Sequence, residues 1–410
     1  GEWCKNQGYE IPNMQAPTVE EAIEDPQCPK PVKHMLQLRL ELGRTSTAKY
    51  TKIKDMIMNG RVHDNMAFHM AATGRWGGRG FQLQNLPRAK KKSPERWIRY
   101  FKENIKMKDP VGAAKAIIRP MIKAPEGWKL IVSDYSGIEN RILAWLAGDQ
   151  RVLNLFKDPK YDQYIDMAMY RFGVTRDQVT KFMRQVGKQI ILGAGYGMAA
   201  IKYQETCAKS GMFITLKEAE ADINAYRALY YLVKELWKEL KLAATRAVMS
   251  GKRQSYGHIT FGTSTVNGTK WLGMLLPSGK AIYYCEPTVE DHYVPGYETM
   301  GKVPTIRHWG INPYTKKWSR KSLIPGRITE NADQGTAREC MAYGAYNVKT
   351  YMPEVQLIGL VHDEAIGLIR EDDINDHTQK KFNDLLCDIP WIEGCPLRAE
   401  GYIADRYKKE

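Results

Sequence analysis

Hydrophobic and polar positions along this chain fall into two kinds of pattern. Over 32–58, after the Pro-rich QCPKP at 27–31, Val32, Met35, Leu36, Leu38 and Leu42 recur at helical steps, which predicts a long helix. Residues 162–250 read as mostly helical, including 176–192 and 217–248, and so does 329–350. WKLIVSDYS, from 128, is instead a short apolar run of strand length that ends in Asp134, and IENRILAWLAG then returns to helical spacing. Gly, aromatic and β-branched residues dominate 251–325, with turn signals LPSGK and INPY, so strands and loops are predicted there. VQLIGLVHDEAIGLI (355–369) predicts a second buried strand, and the Gly-rich ATGRWGGRG (72–80) an irregular segment. Two acid-bearing apolar strands separated by a large helical insertion are the central feature.

Composition narrows the function classes. At 410 residues the chain has room for two to three domains of roughly 150 residues each. No run approaches the ~20 apolar residues of a membrane helix, and GEWCKNQGYE lacks the basic flank and apolar stretch of a signal peptide. Neither a membrane protein nor a secreted one is expected. The seven cysteines are scattered and contain no CxxC, which points to free thiols in a reducing compartment. Lys plus Arg outnumber Asp plus Glu by 61 to 46, a formal charge of +15, which suits an extended anion with nucleic acid first among candidates. The block RAKKKSPERWIRYFKENIKMK (88–108) reads equally as a solvated surface insertion or as a phosphate contact.

Candidate chemistry sits on the two strands and one helix. Asp134 and Asp363 each lie in or at the end of an apolar strand, where an unpaired charge is costly. Two such acids are tolerable if they share divalent cations in a two-metal site. The bland alternatives are a helix cap built from Ser136 and Glu139 in SGIE, and a polar turn at His362-Asp363. In TKFMRQVGKQIILGAGYG, Arg184, Lys188, Leu192 and Tyr196 stand four apart along one stripe. Stacked like charges need an anion or acidic neighbours, so this stripe is either a triphosphate site or a solvated basic face running into a core contact.

The joint order changes the weighting. DYSGIENR, then RQVGKQIILGAGYG, then VHDEA resemble motifs A, B and C of family A DNA polymerases, bacteriophage type. TGRWGGRGFQLQNLP (73–87) and ENADQGTA (330–337) resemble two further segments of that family, and the likeness runs from about residue 30 to the C-terminus. It implies an α+β right-hand polymerase fold with an antiparallel-sheet palm, helical fingers and a partial thumb. The implied divisions are thumb 1–60, first palm part 61–145, fingers 146–270 and second palm part 271–410. The implied activity is template-directed addition of dNTPs to a primer 3′ end by two-metal nucleotidyl transfer, releasing pyrophosphate, in phage genome replication. The implied cofactor is Mg2+ (two ions, with Mn2+ as a substitute). The implied partners are primer–template DNA and dNTPs, with processivity proteins unidentified and no membrane, in the cytoplasm of the host. No proofreading exonuclease segment is expected within this chain.

Residue by residue, the resemblance makes Asp134 and Asp363 metal carboxylates and the Tyr135 carbonyl a backbone ligand. Glu139 matches the steric gate against a ribose 2′-OH. Arg184 and Lys188 match the residues holding the triphosphate, with Tyr164, Leu192 and Tyr196 completing the nucleotide pocket. Arg75 and Gln334 match positions that read minor-groove acceptors, which are largely shared between base pairs. Gln84, Asn85, Arg327 and Asn331 are placed with them on the duplex, and His362 and Glu364 near the primer terminus. Departures are Leu192 where a ring is usual, Gly137 where Gln is usual, and Tyr164 at what reads as a His position. A single-subunit RNA polymerase fits Glu139 and Glu364 less well. A two-metal nuclease has no use for the Arg184/Lys188 stripe, and a metal-dependent phosphohydrolase would want a ligand-spaced His cluster. A non-catalytic binding module would leave both strand-borne acids without a purpose.

Overall fold

The computed structural model describes residues 1–14, 16–42, 45–87, 93–293, 301–312 and 315–408. Residues 88–92 of the basic block and 313–314 of the INPY signal lie outside them. The rest of the block begins with the helix Pro94–Lys102, where the Arg96 guanidinium lies 5.4 Å from the Trp97 ring and 5.2 Å from that of Tyr100.

Four antiparallel strands form the sheet that carries the acids, in the order Gln356–Val361, Glu364–Arg370, Trp128–Tyr135, Ala399–Ala404. WKLIVSDY is apolar almost throughout because it is buried on both faces. Leu130 and Val132, with Ile366 and Leu368, meet Ile53, Phe81, Ile118 and Tyr407 on one side. Ile131 and Tyr135, with Ala365 and Ile369, meet Cys340, Met341, Phe382 and Leu386 on the other. The Tyr135 hydroxyl donates to the carbonyl of Leu386, tying the end of the central strand to the helix Thr378–Cys387.

Several elements differ from the sequence reading. The segment 355–369 is a hairpin and not one strand: Val361 pairs with Glu364, leaving His362-Asp363 as a two-residue turn. The turn and the acid-bearing strand end are therefore the same place. His362 sits there at φ +58°, a region a non-glycine residue seldom adopts. The Ser136/Glu139 capping box does not form, because the helix Ile138–Leu146 starts behind Gly137 at φ +60° with no side-chain cap. Residues 32–58 divide into Lys30–Leu42 and Thr45–Met56. The helix expected over 176–192 begins at Lys181, capped by Thr180, and 217–248 breaks at Tyr230 into Leu216–Leu229 and Tyr231–Ser250.

Helices fill the first half of the interval between the two acids, from Ile138 to Ser250. The most consequential is Lys181–Ala194, which packs against Gln163–Phe172 at close range. A Cβ on Gly187 would lie 2.2 Å from the Tyr164 carbonyl oxygen, so only glycine permits that approach. A six-stranded antiparallel sheet follows, from Gln254–Tyr256 through Trp318–Leu323. A division at 270 falls inside its strand Thr269–Leu275, so the hydrogen-bonded unit 254–323 is better kept whole. The chain then enters the helix Pro325–Tyr351, 27 residues long and starting four residues earlier than 329. A separate small cluster, Cys4, Ile11, Val19, Ala22, Cys28, Val32 and Leu36, holds the N-terminal helices together. Among the described residues no helix is long and apolar enough to cross a membrane.

Candidate active site

A cavity of about 950 Å³ opens above the end of the strand Trp128–Tyr135. Asp134, Asp363, Glu364 and Glu400 line its floor, and Lys188, Leu192 and Tyr196 enter from the helical side. Sheet register explains the convergence. The Tyr135 amide donates to the Asp363 carbonyl at 2.9 Å, joining the strand end to the hairpin turn. Asp134 stands opposite Glu364 on one neighbouring strand and Glu400 on the other, so three acids lie abreast on one face. Cross-strand neighbours have Cβ atoms about 5 Å apart, and like charges at that spacing destabilise a sheet unless something neutralises them.

The donor set fits a divalent cation of the hard, oxygen-seeking kind. Asp134, Asp363 and the Tyr135 carbonyl offer oxygen alone, and the adjoining acids deepen the negative potential. Among the described residues no group of three or more His, Cys, Asp or Glu is gathered tightly enough to hold an ion unaided.

Two cations stand on the helical side. Lys188 reaches the cavity and lies 6.0 Å from the Tyr164 ring. Arg184, one turn earlier, lies 5.3 Å from the same ring but pairs with Asp162 at 2.8 Å, outside the cavity lining. Asp162 also caps its own helix, accepting from the Tyr164 and Ile165 amides. It is the acidic neighbour that the stacked charges of the stripe required. Burial pushes the Tyr164 hydroxyl pKa up. Leu192 lines the cavity and is 56% exposed.

Glu139 is held from two sides. Arg75 ion-pairs with its Oε1, and the Tyr196 hydroxyl lies 3.0 Å from its Oε2. Arg75 is placed by a loop docked on the long helix: Arg338 donates to the Gly74 carbonyl at 2.9 Å and lies 4.5 Å from the Trp76 ring. Tyr196 also hydrogen-bonds Asp333, whose side chain is fully buried. Burial, then the nearby Glu139 charge, pushes the Asp333 carboxyl pKa well above the usual carboxylate range. Burial first, then Asp333 and Glu139, raises that of Tyr196 in the same direction.

The positions assigned to a duplex are more dispersed. Gln84 lies in the short turn Leu83–Asn85 with both amide atoms buried and no hydrogen-bond partner among the described residues. Asn85 is exposed and donates to Gln82 at 2.9 Å. Gln334 is half-buried. Arg327 is exposed and pairs with Glu330 at 2.9 Å. Asn331 is buried, its amide donating to the Tyr284 hydroxyl at 2.9 Å, so this structure does not present it to an open surface. Burial pushes the Tyr284 pKa up to about 12. His362 is exposed at the turn. Glu364 is only 2% exposed and accepts from Tyr407 at 2.7 Å, which in turn accepts from Arg119 at 2.9 Å. It belongs to the cavity floor and not to an outward face.

The sequence reading missed Asp333 and the C-terminal contributors Glu400, Tyr402 and Lys408. RAEGYIA carries an alternating strand signal, but nothing local tells that Glu400 pairs beside Asp134.

Comparison with known proteins is consistent across three kinds of match. The family described as DNA polymerase family A matches residues 7–260. A DNA polymerase of Bacillus phage SP02 is 29% identical over 425 aligned residues, covering 100% of this chain and 62% of the relative. A thermostable DNA polymerase I of Thermus aquaticus is 30% identical over 233 residues, 56% of this chain and 24% of that protein. The chain thus spans less than two thirds of the length of these relatives. Among solved structures, the POL domain of Pol1 from M. smegmatis, in complex with DNA primer-template and dNTP, superposes with a TM-score of 0.60. It is 18% identical, with 96% of this chain and 56% of that one covered, a likeness of fold.

Proposed function

The chain belongs to DNA polymerase family A, and from that premise we propose that it extends a primer on a DNA template, adding deoxynucleotides and releasing pyrophosphate. The observation that carries this reading is the meeting of Asp134 and Asp363, joined through the Tyr135 amide at 2.9 Å, in a cavity that Lys188 also enters. An acid at a strand end and an acid in the adjoining turn, sharing a substrate-sized space with a cation, suit phosphoryl chemistry, which depends on positioning and charge stabilisation.

Asp134, Asp363 and the Tyr135 carbonyl would hold Mg2+, with Mn2+ as a substitute. Bound there, the ions would lower the pKa of the attacking 3′-oxygen and offset charge on the leaving phosphates. The protein's own groups do the rest. Lys188 faces the acids and stabilises negative charge developing on the transferred and leaving phosphates. Arg184 joins it by exchanging Asp162 for the triphosphate. Glu139, fixed by Arg75 and Tyr196, occupies the volume a 2′-OH would need and favours a deoxyribose. Leu192 offers an apolar surface to the sugar and base. Tyr164 packs against both cations and orients them through its ring face.

A primer–template would cross the face formed by the Arg75 loop, Gln84, Asn85, Gln334 and the His362 turn, with Arg327 at its edge. Gln84 supports this, because its buried amide lacks the partners a ligand would supply. Asn331 contributes only after leaving Tyr284, and Glu364 acts from the floor by shaping the turn that bears Asp363. The SP02 relative suggests a phage replication setting.

The test is primer extension with Mg2+, comparing dNTPs with rNTPs on DNA templates. Extension by the wild-type chain that is lost without divalent metal and strongly prefers dNTPs is the expected result. Binding of primed DNA with no incorporation under any metal would overturn the assignment.

A further inference from the structure

One hydroxyl stands between two carboxyl groups beside the cavity. Tyr196 Oη is 3.0 Å from Glu139 Oε2 and also hydrogen-bonds Asp333 Oδ2. A phenol has a single hydrogen to give. If both acids were ionised, one contact would set lone pair against lone pair. We propose that Asp333 is the donor at the head of a hydrogen-bond chain, Asp333 to Tyr196 to Glu139, and that it acts as a positioning residue for the carboxylate facing the sugar. This deepens the polymerase reading and rests on it for its functional consequence.

The placement of the proton follows from the surroundings. Glu139 already accepts from the Arg75 guanidinium at its other oxygen, so it stands at the accepting end of the chain. Asp333 is 0% exposed, and its Oδ1 has no hydrogen-bond partner among the described residues. The groups bearing on it come from every side: Glu139, Arg75, Tyr196, Tyr226, Cys395, and Glu330 and Cys340 on its own helix. Arg75 is the cation among them, and it is already engaged by Glu139. A negative charge on Asp333 would be buried beside like charges with one hydrogen bond to support it. A neutral acid donating to Tyr196 frees the phenolic hydrogen for Glu139, so every contact has one donor and one acceptor.

The backbone holds this chain in register. A Cβ on Gly326 would lie 1.8 Å from the Tyr196 carbonyl oxygen, so the first turn of the long helix docks directly on the Tyr196 backbone. Asp333 follows seven residues later, two turns along the same helix, where its side chain meets the Tyr196 hydroxyl. Tyr196 therefore cannot swing away without stranding a buried acid, and Glu139 keeps the orientation that fills the 2′ position.

The experiment measures the ratio of dNTP to rNTP kcat/KM in Asp333→Asn and Asp333→Leu, each with Tyr196 and with Tyr196→Phe. An asparagine amide can donate where the acid does, so Asp333→Asn should keep the ratio within about twofold, while Asp333→Leu should lower it about tenfold, the worth of a hydrogen bond to a charged group. With Tyr196→Phe in place, the two Asp333 variants should give the same ratio. An infrared carbonyl band of a protonated acid, present in the wild type near neutral pH and missing in Asp333→Asn, reads the proton without any turnover. Equal loss in Asp333→Asn and Asp333→Leu, no loss in either, or the absence of that band would overturn the inference. A wild-type chain that extends no primer would instead sink the polymerase reading, and the infrared result would still decide the position of the proton.

Discussion

The amide of Tyr135 donates to the carbonyl of Asp363 at 2.9 Å, linking positions 228 residues apart through one hydrogen bond. That bond sets the acid of the central strand beside the acid of the hairpin turn. It depends on backbone alone, so side-chain changes at either acid should leave the scaffold in place.

Asp134→Asn and Asp363→Asn should therefore lower primer extension by at least about 100-fold, the scale of lost metal-ion stabilisation, while binding of primed DNA changes little. Asp134→Asn should also relieve repulsion with Glu364 and Glu400. Thermal unfolding of the wild type should then rise on adding Mg2+, with a smaller rise in the variant. Near wild-type extension in both variants would remove the acids from the chemistry.

Leu192 lines the cavity and is 56% exposed. Leu192→Phe should change the ratio of dideoxynucleotide to deoxynucleotide incorporation about three- to tenfold, matching the 0.5–1.5 kcal/mol of an aromatic contact. Competitive incorporation on one template measures it, and an unchanged ratio would mean that this face does not meet the sugar.

Arg184 and Asp162 form a partly exposed pair at 2.8 Å. Asp162→Asn keeps an oxygen for the helix cap but weakens the ion pair, making Arg184 easier to recruit. The KM for dNTP should fall about two- to fivefold, in line with the 0.2–1 kcal/mol of such pairs. Arg184→Ala should raise it, with kcat lowered as well. A steady-state titration of dNTP separates these outcomes from a role for Arg184 in folding alone.

Asp333 gives stability a pH dependence of definite sign. Its folded pKa is raised, so above the ordinary carboxylate value the folded chain holds a proton that the unfolded chain has released. This contribution is largest at low pH and is lost as pH rises toward the folded value. Asp333→Asn removes that slope. Its stability relative to wild type should grow with pH by up to about 1.4 kcal/mol per unit, measured by urea unfolding from about pH 5 to about pH 8. A parallel profile for the two proteins would contradict a neutral buried acid.

What the sequence made legible is what local pattern records. WKLIVSDY announced a strand buried on both faces because apolar residues occupy both parities. The hairpin was hidden because VQLIGLVHDEAIGLI is apolar on both sides of a turn marked only by His362-Asp363, without the glycine or asparagine that usually signals one. SGIE matches a capping box in letters, yet Gly137 starts the helix differently and Arg75, distant in sequence, takes the Glu139 carboxylate. Asp333 and Glu400 carried no signal, since their meaning comes from neighbours supplied by other elements: Tyr196 for one, Asp134 across the sheet for the other. The order of motifs exposed the site, while the contacts that tune it arise from tertiary packing.

Among the described residues, the N-terminal cluster of Cys4, Ile11, Val19, Ala22, Cys28, Val32 and Leu36 shares no buried side chain with the other two hydrophobic clusters. A core of seven buried residues has few contacts to lose, so local opening there costs less than global unfolding. Amide deuterium uptake in the helices Ala16–Glu24 and Lys30–Leu42 should run ahead of uptake in the strand Trp128–Tyr135. Local opening at this end would leave the hydrogen-bonded spacing of the acids untouched.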